Sequence, residues 1–333
     1  MIEFKNVSAS YDGDSVVLDK VNFTINDGEF VAFVGTNGAG KSTTMRLMNG
    51  LLKPAAGEVL IDGTPTTQLK TSELARKIGF LFQNPDRQIC CNTVREELLF
   101  GFKVLGEEGP EALARIDALI ERFGFDPDAE PYLLNRGTRQ LLALASIIVL
   151  EPPVIILDEP TTGLDFRECV NVMDVVRELH EGGTTVIMVC HDMEVVGDFA
   201  QRVIAMTEGR VVADGATFDI LRDQRVLDIA HILPPQISAI AMSLVEDMPD
   251  CPEAIAQANT LTQMVAATLQ VSPGGYRTTD NNAAHKAADN AAVLDDVTRS
   301  LMNEKGGGVS APSSDNEVFT AENHDALEQE GGR

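Results

Sequence analysis

Short apolar runs dominate the first part of the chain and indicate β-strands. They are Ile2–Phe4, Val21–Ile25, Phe30–Val34, Glu58–Ile61 and Ile78–Phe82. Phe30–Val34 is apolar throughout, which is typical of a parallel strand buried on both faces. From Lys41 to Asn49 the apolar positions recur at helical spacing, and Gly50 follows as a stop signal. The pattern predicts a strand, a short loop and a helix in direct succession.

The middle of the chain changes to the helical period. Apolar side chains share one helix face from Thr93 to about Gly124, and a further helix is predicted from about Thr138 to Leu150. Strands and helices then alternate, with strands at Val154–Leu157, Thr184–Val189, Arg202–Met206 and Arg210–Ala213 and helices at 166–180 and 192–199. The order predicts an α/β fold whose sheet is interrupted by a helical insert at about residues 84–152.

The chain divides into three segments by composition. Residues 1–215 carry the strand and helix pattern, and residues 216–271 are predicted to form a helical extension. Asn, Ala, Gly, Ser and Asp dominate residues 272–333, which hold few large apolar residues. Such an acidic segment buries too little apolar surface to offset its ordering entropy, so we expect a disordered tail.

Overall charge and cysteine usage narrow the function classes. The formal net charge of the 333 residues is −25, which argues against a nucleic-acid partner because phosphate contacts require clusters of lysine and arginine. The five cysteines are odd in number and contain no C-x-x-C pair, so reduced thiols are expected. The longest apolar run is too short to cross a bilayer, and any membrane role is expected to come through a partner.

A phosphate-binding loop follows the strand Phe30–Val34. Residues 35–42 read G-T-N-G-A-G-K-S, which matches G-x-x-x-x-G-K-[ST]. The glycines allow successive N–H groups to face phosphates, the lysine places a positive charge on the outer phosphates, and the serine hydroxyl can ligate Mg²⁺. We therefore expect a nucleoside triphosphate at Gly35, Thr36, Asn37, Gly38, Ala39, Gly40, Lys41, Ser42 and Thr43.

Two carboxylates end a later apolar strand. Asp158 and Glu159 follow Val154–Leu157. Asp158 at the carboxyl end of a strand is placed to ligate Mg²⁺, and Glu159 to orient and polarise an attacking water. An apolar run that ends in Asp-Glu is common by itself, and it gains meaning from the phosphate loop.

In this order the motifs resemble those of ATP-binding cassette (ABC) ATPases over about residues 2–215. The resemblance implies that Tyr11 stacks on adenine, although a surface tyrosine is the alternative. It implies further that Gln83 contacts Mg²⁺ or water at the edge of the helical insert, and that Asp165 contacts a second cassette. His191, before Asp192, would lie at the γ-phosphate.

One motif departs from the family pattern. Where the family has Leu-Ser-Gly-Gly-Gln, residues 134–138 read Leu-Asn-Arg-Gly-Thr. In the family this segment binds the ATP of the opposite subunit at a helix N-terminus. Asn135 can cap that helix and donate a hydrogen bond, and Gly137 is retained, whereas Arg136 adds bulk and charge.

Two further stretches are similar to the ATPases of energy-coupling factor (ECF) transporters, residues 82–101 and His231–Ile237. This resemblance implies an ATP-hydrolysing subunit, peripheral at the cytoplasmic face of the membrane, for uptake of vitamins or cobalt and nickel ions. Its partners would be a second cassette, identical or different, a transmembrane coupling subunit and a substrate-binding membrane subunit. The alternatives are the ATPase of a conventional ABC transporter and a soluble ABC protein of translation or DNA repair.

Overall fold

The computed structural model describes residues 1–11, 15–248 and 251–270. Within these ranges the strands are β1 Ile2–Ser10, β2 Val16–Ile25, β3 Phe30–Val34, β4 Ala56–Ile61, β5 Thr64–Pro65, β6 Ile78–Leu81, β7 Val154–Asp158, β8 Thr185–Val189, β9 Arg202–Thr207 and β10 Arg210–Ala216. The helices are α1 Lys41–Met48, α2 Thr71–Lys77, α3 Val94–Leu105, α4 Pro110–Phe123, α5 Arg136–Ile148, α6 Phe166–Glu181, α7 Met193–Phe199, α8 Thr217–Leu221, α9 Gln224–Ala230, α10 Gln236–Asp247, α11 Glu253–Ala256 and α12 Leu261–Gln270.

A six-stranded sheet in the order β10-β9-β3-β8-β7-β6 carries the site. Strands β9, β3, β8, β7 and β6 are parallel, and β10 pairs antiparallel with β9. All five residues of β3 are buried, as a continuous apolar run predicts. Because parallel strands end at the same edge, the segments after β3, β7 and β8 lie side by side.

A second, antiparallel sheet in the order β2-β1-β4-β5 lies against one face of the first. Val31 and Phe33 of β3 pack on this side with Phe4 and Phe23 of the antiparallel sheet. On the other face Ala32 and other β3 side chains pack against the insert helices, α6 and α7. The central sheet is therefore covered on both sides, which agrees with the α/β prediction.

Three helices, α3, α4 and α5, lie between β6 and β7. The helical region predicted from Thr93 to Gly124 divides at Gly106, whose φ of 69° ends α3. The prediction for α5 was wrong at both ends, because the helix spans Arg136–Ile148 rather than 138–150. Asn135 caps it by accepting the Thr138 N–H at 2.8 Å, so the helix begins earlier.

Five helices, α8 to α12, follow β10 within the described residues, in the region where the sequence predicts helices. Nowhere in the described ranges is a helix both long and apolar enough to pass through a bilayer. The predicted disordered tail at 272–333 lies outside the described residues.

Candidate functional site

The phosphate-loop backbone forms a cradle that side chains would fill. Gly35 has a φ of 132°, and a Cβ there would lie 2.0 Å from the Met206 carbonyl oxygen. Gly40 has a φ of 98°, and its Cβ would lie 2.4 Å from the Leu18 side chain. Both positions therefore require glycine. The loop passes from β3 into α1 and borders a cavity of about 150 Å³.

Lys41 is held inside the loop. Its ammonium donates hydrogen bonds to the carbonyl oxygens of Gly35 at 2.7 Å and Thr36 at 2.9 Å. Burial lowers the pKa of Lys41, while the nearby Glu159 and Asp158 carboxylates act in the opposite direction. The ammonium is thus a buried charge whose hydrogen-bond partners are neutral carbonyls, an arrangement suited to an added anion.

Asp158 lies beside Ser42, in the first turn of α1. It ends β7 and accepts a hydrogen bond from the Ser42 side chain. Burial, together with the charge of Glu159, raises the pKa of Asp158 despite that hydrogen bond. A hydroxyl and a carboxylate are hard oxygen ligands that suit Mg²⁺, and a cation here would offset the buried negative charge.

Polar side chains from three loops contact the Glu159 carboxylate. Its Oε2 accepts hydrogen bonds from Gln83 Nε2 at 2.6 Å and Thr162 Oγ1 at 3.0 Å. The other oxygen, Oε1, lies 3.2 Å from His191 Nε2. Its backbone N–H donates to Val189 at the end of β8, at 2.9 Å. Glu159, Gln83 and His191, which the sequence predicts as catalytic residues, therefore form one cluster.

The cavity beside the phosphate loop connects this cluster to the loop. It is lined by Val17, Asn37, Gly38, Gly40, Lys41, Ser42, Thr43, Glu159 and His191. Ala39 is buried beneath, and its carbonyl accepts the Gly209 N–H at 3.1 Å. The site therefore fits a nucleoside triphosphate with a hard divalent cation. It offers the backbone cradle of the phosphate loop, the Lys41 ammonium, the Ser42 hydroxyl and the carboxylates of Asp158 and Glu159.

Tyr11 lies next to α1 with its ring 54% exposed. Its hydroxyl is 3.1 Å from Thr43 Oγ1 and accepts a hydrogen bond from Arg46 at 3.1 Å. The Arg46 guanidinium lies 5.9 Å from the ring centroid. The contact with Thr43 and Arg46 places Tyr11 beside the phosphate-loop helix, and its stacking on adenine stays a prediction.

The altered family motif lies away from this cavity. Asn135 is the N-cap of α5, and Gly137 is buried against Glu168. Asp165 caps α6, where it accepts the Glu168 N–H at 2.8 Å. None of these three residues lines the cavity beside the phosphate loop. Their predicted contacts are with a second cassette, and these contacts stay predictions.

Sequence reasoning missed two contacts near the cluster. Thr162 donates to Glu159, and its carbonyl accepts a hydrogen bond from Arg136 at 2.9 Å. The loop that follows Glu159 is thereby linked to the N-terminus of α5. The sequence could have indicated the first contact, because the Thr162 hydroxyl comes only three residues after Glu159. The contact with Arg136 depends on tertiary packing.

Comparison with known proteins supports one family. Residues 18–162 match the model described as ABC transporter. The energy-coupling factor transporter ATP-binding protein EcfA of Methanothermobacter thermautotrophicus is 38% identical over 240 residues, 71% of this chain and 77% of that protein. The chain belongs to the ABC transporter ATPases. This family consists of ATP-hydrolysing domains, and the match includes ATP-binding subunits named for ECF transporters.

A solved structure agrees with this assignment. That of cbiO1 from Clostridium perfringens, part of the ABC transporter complex cbiONQ, has a TM-score of 0.61 and 29% identity, and it covers 74% of this chain and 95% of its own. A putative ABC transporter ATP-binding protein of Caldanaerobacter subterraneus is 37% identical over 75% of this chain. This chain spans only 46% of that relative's length, and less than half of two Methanosarcina relatives.

Proposed function

We propose that this ABC ATPase hydrolyses Mg-ATP to energise a membrane importer of the ECF type. The observation that carries the proposal is the Glu159 cluster beside the phosphate loop, with Asp158 and Ser42 adjacent. The similarity to proteins named as ECF ATP-binding subunits supports the transport role. The substrate would be a vitamin or a transition-metal ion, recognised by a separate membrane subunit.

The residues divide the chemistry among them. Lys41 and the loop N–H groups would bind the phosphates, and Ser42 and Asp158 would hold Mg²⁺. Bound Mg²⁺ supplies charge neutralisation on the phosphate oxygens. Glu159 orients a water and accepts its proton at a carboxylate oxygen, and His191 positions the γ-phosphate. Gln83 and Thr162 fix the Glu159 carboxylate by donating to Oε2.

A groove suits the membrane partner. It has a volume of about 250 Å³ and lies between the core and the insert, lined by Leu51, Ala75, Phe80, Ile147 and Leu150 among others. Its apolar lining fits an amphipathic helix of a transmembrane subunit. Strand β6 forms one wall of the groove, and Gln83, which contacts Glu159, follows β6 directly in the chain. A helix docked in the groove would therefore contact the strand that leads to Gln83.

Co-expression with the membrane subunits of an ECF transporter tests the proposal. Leu51→Glu places a charge in the groove at a side chain that is 57% exposed. We expect co-purification with the membrane subunits to fall at least tenfold while ATP binding is unchanged. Val104→Glu on α3, 65% exposed and outside the groove, is the matched control.

Two results would contradict the proposal. Unchanged co-purification of Leu51→Glu with the membrane subunits would exclude the groove as their docking site. Association of the native chain with ribosomes or DNA, and not with membrane subunits, would favour the soluble ABC alternative.

A further inference from the structure

A second cluster of ligand-type side chains lies outside the nucleotide site. Among the described residues, one oxygen of Glu97 and the thiol sulfurs of Cys90 and Cys91 all lie within 4.8 Å of one another. They belong to the segment that leads from the turn Pro85–Arg87 into α3. None of them lines the cavity beside the phosphate loop.

Glu97 is a buried carboxylate in a fixed position. Its side chain is on the first turn of α3 and the residue is 3% exposed. Oε2 accepts the backbone N–H groups of both Cys90 and Cys91, each at 2.9 Å. These hydrogen bonds hold the two cysteines over the carboxylate. A carboxylate has about four acceptor positions, and the two N–H groups use two of them.

The two thiols differ in accessibility, which leaves an entry path. Cys90 is exposed and Cys91 is half-buried, while Glu97 lies beneath them. Besides the two backbone hydrogen bonds, the Cys91 thiol hydrogen-bonds to the side chains of Glu97 and Cys90, so all three ligand-type groups are in mutual contact.

We propose that Cys90, Cys91 and Glu97 bind a thiophilic divalent cation of the zinc class. Two thiolates, a carboxylate and one water give the four-coordinate donor set that such an ion prefers. Each thiol loses its proton to solvent when the sulfur binds the ion. With metal–sulfur distances of about 2.3 Å, the two sulfurs of a tetrahedral site lie about 3.8 Å apart.

The segment around the cluster is already tied to α5 and to β6. Gln88 donates to the Ala143 carbonyl of α5 at 2.7 Å, and its side-chain oxygen accepts the N–H of Phe82, directly after β6, at 3.2 Å. An ion shared by Cys90, Cys91 and Glu97 would tie the same segment to α3. The site does not depend on the proposed transport role.

The test uses the full chain, reduced and freed of metal. Cd²⁺ is titrated while the ultraviolet thiolate-to-metal charge-transfer band is followed, and bound Zn²⁺ per chain is measured by mass spectrometry after dialysis. We expect one ion per chain. Affinity should fall at least tenfold in Cys90→Ser and in Cys91→Ser, because each loses a thiolate ligand.

Two further variants show whether metal binding depends on this cluster rather than on another cysteine or on unfolding of the segment. Cys251→Ser removes a half-buried cysteine outside the cluster and should bind like the native chain. Glu97→Gln should weaken binding with the charge-transfer band retained at high Cd²⁺, which distinguishes a lost ligand from an unfolded segment. Native-like affinity in both Cys90→Ser and Cys91→Ser, or no charge-transfer band in the native chain, would overturn the proposal.

Discussion

Glu159 has an unusual backbone for its position. Its φ of 52° lies in the left-handed region, which costs a residue other than glycine of the order of 1–3 kcal/mol. The surrounding contacts hold it there, because its N–H donates to Val189 and its carboxylate meets Gln83, Thr162 and His191. Strain maintained by so many partners at one carboxylate is expected of a residue selected for its chemistry.

The first residue-scale prediction concerns that carboxylate. Glu159→Gln keeps the side-chain shape and removes the charge that polarises water. We expect ATP to bind with native affinity while turnover falls about 10²-fold or more, the usual scale for loss of a positioned base. Phosphate release and nucleotide binding are measured on the same preparation.

A matched control exists for this variant. Glu151 also has a φ of 52° but is exposed and outside the cluster. Glu151→Gln should therefore leave turnover unchanged. Near-native hydrolysis by Glu159→Gln would show that its assigned role is wrong.

The second concerns Asp158, whose pKa is raised above its ordinary value of 3.8 by burial and by Glu159. Because its pKa is raised in the folded state, this carboxyl binds a proton more tightly in the folded protein than in the unfolded chain. The resulting contribution to stability is complete at pH values below the ordinary pKa and is lost as the pH rises through the raised pKa. At neutral pH the ionised Asp158 thus opposes folding of the nucleotide-free protein. Asp158→Asn should raise the melting temperature without nucleotide at pH 7, and the difference should shrink toward pH 4.

Differential scanning fluorimetry across pH measures this effect. A change of about 1 kcal/mol in the free energy of unfolding moves the melting temperature by about 2–4 °C in a domain of this size. The variant should also lose the extra stabilisation that Mg²⁺ adds to ATP. A lower melting temperature for Asp158→Asn at pH 7 would contradict the prediction.

At the level of elements, the shape of the phosphate loop depends on glycines whose backbone conformation and surroundings disfavour a Cβ. We expect Gly40→Ala to reduce ATP affinity at least tenfold, because a Cβ there lies 2.4 Å from Leu18 at a φ of 98°. Gly106→Ala, at a φ of 69° with no atom within 4 Å, isolates the cost of the left-handed backbone alone. Both are measured by nucleotide titration and thermal melting, and equal losses of ATP affinity would contradict the steric argument.

Sequence patterning predicted most strands and helices, whereas Gln83 and His191 of the Glu159 cluster were expected only from the resemblance to ABC ATPases. Continuous apolar runs identify β3, β7 and β8, because buried parallel strands need them. Helix α2 was missed because Leu74 is its single buried residue, so it has no apolar stripe. The contact between Arg136 and Thr162 could not be predicted, because it joins residues of separate elements through the folded chain.

At the scale of the whole molecule, the open question is how two cassettes share their sites. ABC ATPases related to this chain work as dimers, and one solved relative is a dimeric cassette bound to ADP and Pi, 33% identical with a TM-score of 0.58. The residues that we propose to serve this chain's own ATP are all present, whereas the segment predicted to serve a partner's ATP is altered at Asn135 and Arg136.

We predict a heterodimer with unequal sites, in which Glu159 of this chain supports most of the turnover. A partner with an unaltered motif would complete the site of this chain, and the partner's own site would face Asn135 and Arg136. ATP hydrolysis and ATP-dependent dimerisation of the isolated chain provide the measurement. We expect activity that appears only when a second cassette is present and that is abolished by Glu159→Gln in this chain. Efficient cooperative hydrolysis by the isolated chain would instead support a homodimer.

The position of β3 has a consequence for how the protein is made. Both neighbours of β3 in the sheet, β8 and β9, come more than 150 residues later in the chain, and Gly35 lies directly against Met206 of β9. During translation the phosphate loop leaves the ribosome early, but its supporting strands are synthesised only after the whole helical insert. A nascent chain that stops before β8 therefore carries the complete motif and no formed site. ATP can therefore assist folding only after β8 and β9 have been synthesised.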